Sequence, residues 1–395
     1  PPIYINGNDE FALKAKEEGW SGDGTKDNPY IIENYDIDAS TSHGIHIENT
    51  DVHFIIMNCV IHGGSIYHYG YHHGIYLYNV SNGKIYNVTS YNNYFGIYLN
   101  YSSNNNISSN KIYNNYWGIY LWTSSNNSIN NNKINNNNLL GIDLWGSSNN
   151  IISNNNIYNN GDGIRLHYSW DDIHIYFSSN NIISNNNIYS NDYGIYLWWS
   201  SDNIIYLNDF INNTYNVDSY GSTNIWNSTD KITYIYKGSI FKNYLGNYWS
   251  DYTGSDSNGD GIGDTPYSIY YGDVDKYPLM EPFENYFVGL PVITSPLEIT
   301  PIKDTYYIGD TLTAKFNITN KGSAPITFDV LTVGGRLNGW CPVEGCPDFT
   351  YRSLTLHPDE TYHYEGSLTL TQPGNYHFFI AYYIVSNEEM VVAGL

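Results

Sequence analysis

The stretch Gly96–Leu121, GIYLNYSSNNNISSNKIYNNYWGIYL, opens and closes on the same four letters, 22 residues apart. Within it the aliphatic residues stand singly, the asparagines come in runs, and only Lys111 is charged. Gly-Ile followed by x-Ile/Leu recurs at Gly44, Gly74, Gly96, Gly118, Gly141, Gly163 and Gly194, with spacings of 30, 22, 22, 23, 22 and 31. A fixed period of this size is the mark of a solenoid.

The pattern inside one period selects the kind of solenoid. In GIYL, Ile97 and Leu99 share one side and Tyr98 points the other way, a strand alternation. Ten and fifteen residues after Ile97 come Ile107 and Ile112, and the same offsets lead from Ile119 to Ile129 and Ile134 and from Ile45 to Ile55 and Val60. Each period therefore holds three short strands, and no apolar stripe recurs at helical spacing. The fold class is all-β: a right-handed parallel β-helix of triangular coils stacked about 4.8 Å apart. Ile75, Ile97, Ile119, Ile142, Ile164 and Ile195 form one inward column, and Leu77, Leu99, Leu121, Leu144, Leu166 and Leu197 the next. Asn93, Asn115, Asn138, Asn160 and Asn191 are expected as a corner ladder, because Asn tolerates tight left-handed turns and bonds to its own stack. The two long spacings are insertions, His62–His73 and His167–Phe177.

Composition narrows the function classes. The 395-residue chain carries 16 Lys plus Arg against 39 Asp plus Glu, a formal charge of −23. That excludes a phosphate-reading surface, so no nucleic-acid partner is expected. No run of 18 apolar residues marks a transmembrane segment. Cys341 and Cys346, in CPVEGC, can pair; Cys59 lies among apolar residues. Eight sequons, at Asn79, Asn87, Asn100, Asn106, Asn126, Asn212, Asn227 and Asn317, join the cysteine pair in favouring an extracellular or cell-surface setting.

The coils resemble the NosD-type carbohydrate-binding/sugar-hydrolase (CASH) β-helix family, abundant in archaeal surface proteins. The entry GDGTKDNPYIIENYDIDASTSHGIHIEN and the exit GNYWSDYTGSDSNGDGIGDTPYSI resemble that family's ends. The resemblance implies a fold and an extracytoplasmic address, and no single reaction. The expected organisation is an N-terminal cap over residues 1–30, the β-helix over 31–250, a closing segment over 251–290, and over 291–395 an antiparallel sandwich resembling the Ig-like modules of surface proteins, with alternating strands and Gly/Pro/Asn turns.

Four features carry the functional expectations. DSNGDGIGD places Asp256, Asn258, Asp260 and Asp264 at positions 1, 3, 5 and 9 of a calcium-type loop, with the Ile262 carbonyl at 7. Position 12 is Tyr267, and Asp251, Asp273 or Asp275 is left to replace the missing carboxylate; the bland reading is an acidic turn. His43 and His73 hold the same offset before Gly-Ile, so they stack on neighbouring coils in a cluster where a soft metal is conceivable. Arg165 takes the outward position that Tyr76, Tyr98, Tyr120 and Tyr196 hold elsewhere, next to Asp143 and near His167. That trio reads either as a catalytic group or as an ion pair filling a gap in a tyrosine ladder. The tyrosine column, with Trp117, Trp122, Trp145, Trp198 and Trp199 in the same coils, is expected to form an exposed contact surface. The expected function is a non-enzymatic surface protein that assembles with itself, or with other surface proteins, into a surface filament or envelope layer, the C-terminal sandwich docking on a neighbour's shaft or PPIYIN pairing with a neighbour's strand edge. The alternative is a β-helix that binds or cleaves carbohydrate.

Overall fold

The computed structural model describes residues 1–65, 71–170, 175–237, 239–288, 292–293, 295–303, 305–320, 326–337, 352–357, 359–374, 376–384 and 390–393. They fall into two compact units, residues 1–230 with 244–283 and residues 231–243 with 284–395.

The first unit is the parallel β-helix. Its first sheet has nine strands, Ile3–Asn6, Ile45–Thr50, Ile75–Val80, Phe95–Asn100, Trp117–Trp122, Leu140–Trp145, Asp162–His167, Tyr193–Trp198 and Tyr215–Tyr220. The second sheet has eight strands, from Tyr30–Glu33 to Ile204–Tyr206, and the third nine, from Asp36–Asp38 to Tyr248–Trp249. The isoleucine and leucine columns stand in register from Ile75 to Ile195 and from Leu77 to Leu197, all fully buried. Burying each such side chain stabilises the stack by about 1.5–3 kcal/mol. In the Ile45 coil the inward residues are Ile56 and Ile61, not the expected Ile55 and Val60. That coil carries one residue more before its second strand.

The repeated glycine has a steric cause. A Cβ on Gly96 would meet the Gly118 carbonyl oxygen at 2.7 Å, and one on Gly118 the Gly141 carbonyl oxygen at 2.4 Å. The asparagine doublets have two separate jobs. Asn114, Asn136 and Asn159 take φ of 54°, 54° and 53°, turning the corner in the left-handed region. The next residue in each case joins a buried ladder: the Asn115 amide donates to Asn137 Oδ1 at 3.0 Å, and the Asn137 amide to Asn160 Oδ1 at 3.0 Å. The ladder therefore runs through Asn137 and not Asn138, which is exposed; the extra residue of that 23-residue coil falls after the corner. Similar ladders pass through Asn105, Asn127 and Asn150 and through Asn110, Asn132 and Asn155.

Both ends of the stack are closed within the chain. Ile3–Asn6 pairs in parallel with Ile45–Glu48, so PPIYIN supplies its own first rung. The helix Asn8–Glu18 buries Phe11 and Ala15 over that end, Phe11 lying 5.0 Å from Tyr30 and 5.3 Å from Phe54. At the other end Trp249 stacks between Phe210 and Tyr267, at 4.4 and 4.2 Å.

In the second unit, Ile232–Tyr236 pairs antiparallel with Ser239–Asn243 and with Phe287–Val288. Two four-stranded antiparallel sheets share a core of Ala314, Phe316, Ile318 and Tyr364 against Phe328, Leu331, Val333, Leu356 and Ile380. Cys341 and Cys346 lie outside the described residues.

Candidate functional site

The outer face of the first sheet carries the candidate site. The strand register sets His46, Tyr76, Tyr98, Tyr120, Asp143, Arg165, Tyr196 and Asp218 in one column. The rings stack at 4.8 Å between Tyr76 and Tyr98 and 5.0 Å between Tyr98 and Tyr120. The column points out of the coil, as expected, yet its middle is not a surface. Tyr98 is 7% and Tyr120 2% exposed, because Phe95, Trp117 and Trp145 close over them. Burial pushes both phenols well above their ordinary pKa. Tyr76 and Tyr196 remain partly exposed.

The ladder breaks at Asp143 and Arg165. Asp143 is 1% exposed, and its Oδ1 lies 2.9 Å from His167 Nε2, close enough for a charge contact though out of line for a hydrogen bond. Arg165 is Asp143's register neighbour, but its guanidinium turns to Asp162 instead, with Nε 3.3 Å from Oδ2, and rests 5.3 Å over the Tyr196 ring. Burial raises the Asp162 carboxyl to about 6; Arg165 opposes the rise, and Asp143 and Asp192 add to it.

Together these residues floor a cleft of about 500 Å³ lined by Trp117, Asp143, Trp145, Arg165, His167, Tyr168 and Trp198. Trp145 lies 4.4 Å from the His167 ring and stacks on Trp122 at 5.4 Å. Tyr168 sits edge-on to Trp198 at 5.9 Å. The indole nitrogens of Trp117 and Trp145 are buried without a hydrogen-bond partner, an unusual cost to carry beside a cavity. His167, expected as the first residue of the second insertion, ends the strand Asp162–His167, and beyond it Ser169–Trp170 pairs antiparallel with Ile175–Tyr176; Asp171, Asp172 and His174 lie outside the described residues. Asp143, Arg165 and His167 are thus brought together, and sequence reasoning missed only Tyr168 as a wall.

The calcium-type loop is folded by its own side chains. Asp256 Oδ1 accepts the Gly259 amide at 2.8 Å and its Oδ2 the Gly261 amide at 2.8 Å, Asp260 Oδ1 accepts Ile262 N at 2.9 Å, and Asp264 Oδ2 accepts Ser257 N at 3.0 Å. The three candidates for position 12 work elsewhere. Asp251 takes the Tyr267 hydroxyl, Asp273 the Trp226 indole N–H, and Asp275, fully buried with its carboxyl pushed up to about 6 by burial, takes the Asn247 amide and the Trp249 indole N–H. Among the sequons, Asn79, Asn87, Asn126 and Asn212 are exposed, while Asn100, Asn106, Asn227 and Asn317 are partly buried.

The histidine cluster continues the aromatic columns. His43 lies face to face with His73 at 4.5 Å, and His46 stacks on Tyr76 at 4.7 Å. His43 Nδ1 accepts the His73 amide at 3.0 Å. Burial lowers His43 to about 4 and holds His73 well below the ordinary imidazole value, with the neighbouring imidazoles adding to both.

A family model described as periplasmic copper-binding protein (NosD) matches residues 21–254. The chain belongs to the NosD family. No curated protein matches it. Solved structures similar to this NosD-family chain include the periplasmic alginate epimerase AlgG, 23% identical over 49% of this chain and 41% of that one, with a TM-score of 0.35. The enzymatically active domain of bacteriophage CBA120 tailspike protein 2 is 13% identical over 89% of this chain and 64% of that one, at 0.39. The Azotobacter vinelandii mannuronan C-5 epimerase AlgE6 A-module is 15% identical over 49% and 63%, at 0.33. The chain spans less than two thirds of each, and likeness at this level carries no reading of the cleft.

The NosD description names copper, and His43, His46, His72 and His73 are the donors copper would favour. They do not fit one ion. The stacked His43 and His73 rings direct their nitrogens along parallel planes, and His43 Nδ1 is already engaged. Among the described residues, no three His, Cys, Asp or Glu side chains are placed to surround a metal. The family is described as periplasmic, and among the described residues no helix is long and apolar enough to cross a membrane.

Proposed function

We propose that this NosD-family chain works outside the cytoplasm, in the periplasm or at the cell surface, as a carbohydrate-binding β-helix whose glycan lies in the Trp117–Trp145–Trp198 cleft. One observation carries the reading: indole walls stand over a floor where buried Asp143 meets His167 at 2.9 Å. Sugar rings offer flat C–H faces to indoles, and their hydroxyls both donate and accept hydrogen bonds. The Asp143 carboxylate and the His167 ring offer polar atoms beside the indoles, where the hydroxyls of a bound sugar find partners.

Assembly into a filament is less well supported. Neither the tyrosine column nor the N-terminal strand supports it, since Tyr98 and Tyr120 are buried and Ile3–Asn6 pairs within its own chain. Calcium is kept as the proposed ion of the loop Asp256–Asp264, as a structural clip, and binding it requires Asp256, Asp260 and Asp264 to turn from the backbone amides they accept here.

Binding of the full chain to a broad glycan panel tests the function. Trp145→Ala and His167→Ala should each weaken binding at least tenfold. No binding across the panel, or binding indifferent to Trp145→Ala, overturns the reading.

A further inference from the structure

The charges around the cleft say which sugars it takes. Among the described residues, Arg165 is the one guanidinium or ammonium side chain in its lining. A guanidinium that recognises carboxylates presents its charge to the ligand, and the charge of this one is already partly offset, its Nε lying 3.3 Å from Asp162 Oδ2 and its plane 5.3 Å over the Tyr196 ring. Carboxylates bracket it along the column, Asp143 on the strand before and Asp218 two strands beyond. Asp192 acts on Asp162, and Asp218 on the Tyr196 phenol. Asp143, Asp162 and Asp218 therefore stand on this sheet with one cation, which is paired with Asp162, within a chain of formal charge −23.

Resting on the carbohydrate reading above, we infer that the cleft takes glycans that carry no anionic group and rejects polyuronates. A ligand carboxylate set about 8 Å from an aspartate loses roughly thirtyfold in affinity at the effective dielectric of a protein surface. A neutral sugar loses nothing, and an amine-bearing sugar gains. Salt should erode the difference, because at about 0.5 M the Debye length falls to about 4 Å, shorter than the roughly 8 Å separation.

Matched pairs isolate charge from shape. The full chain is titrated, following tryptophan fluorescence, with oligogalacturonate and its full methyl ester, with mannuronate and neutral manno-oligosaccharides, and with chitin and chitosan oligomers. The uncharged member of each uronate pair should bind at least tenfold tighter, the gap should narrow in about 0.5 M salt, and chitosan should bind at least as tightly as chitin. Asp162→Asn should release Arg165 and raise affinity for the uronate selectively. Equal or tighter binding of the uronates overturns this inference and leaves the carbohydrate reading standing. Binding of no oligomer overturns the carbohydrate reading and the inference with it.

Discussion

Replacing Asn137 by Ala tests the corner ladder at the point where two neighbouring residues have opposite fates. The Asn137 side chain accepts the Asn115 amide at 3.0 Å and Asn115 Nδ2 at 3.1 Å, and donates to Asn160 Oδ1 at 3.0 Å and the Ile112 carbonyl at 3.4 Å. Truncation leaves the Asn115 backbone N–H buried with no acceptor, and such a group costs about 1–3 kcal/mol. The other bonds lost are worth about 0.5–1.5 kcal/mol each, and Asn160 Oδ1 keeps the Asn137 amide. The total is about 2.5–7.5 kcal/mol. Asn138→Ala, one residue on, removes an exposed side chain and should cost under about 0.5 kcal/mol. Urea unfolding followed by far-ultraviolet circular dichroism gives both values. Equal losses would refute the reasoning, because they would mean that the buried amide ladder adds nothing a solvated asparagine does not.

Three further outcomes follow. Ile119→Asp should cost several kcal/mol by burying an unpaired charge, and Tyr120→Ala about 3 kcal/mol by emptying a covered aromatic site, so thermal melts should show both as damaging and a harmless Tyr120→Ala would contradict the closed ladder. Calcium should raise the melting temperature over chelator by mass action and Asp260→Ala should abolish that response; identical wild-type melts with and without calcium would leave the loop an acidic turn. Acid should loosen the N-terminal coils: His43 and His73 have depressed folded-state pKa values, so the unfolded chain takes up protons that the folded chain refuses, and stability present above about pH 6.5 falls as pH drops toward 4. The raised carboxyls of Asp162 and Asp275 work the other way, costing stability as pH rises from about 4 to 6. His73→Phe, which copies the Phe95 rung next to it, should therefore flatten the acid limb of proteolytic susceptibility over residues 1–80, and an unchanged limb would count against the cluster as its cause.

Much of the fold was legible because stacked coils repeat one environment, so a period and two offsets place most inward residues. The misses have local causes. An extra residue can fall on either side of a corner, which hid Asn137 behind Asn138 and Ile56 behind Ile55. Pointing outward is not exposure when bulky rings on strands about 4.8 Å apart cover one another, which is why Tyr98 and Tyr120 are buried. Strand register pairs Arg165 with Asp143 through their Cα atoms, whereas the long guanidinium reaches Asp162. No sequence pattern announced that Asp273 and Asp275 would be drawn onto the indoles at the end of the stack, or that the hairpin Ile232–Asn243 would group with the C-terminal unit.

The most direct measurement is a structure of the chain with a bound neutral oligosaccharide. The account predicts a sugar ring against Trp145 and Trp198, with a hydroxyl within hydrogen-bond reach of Asp143 or His167. A sugar ordered elsewhere, on the exposed Trp199 or on the C-terminal unit, with the cleft empty, would contradict it.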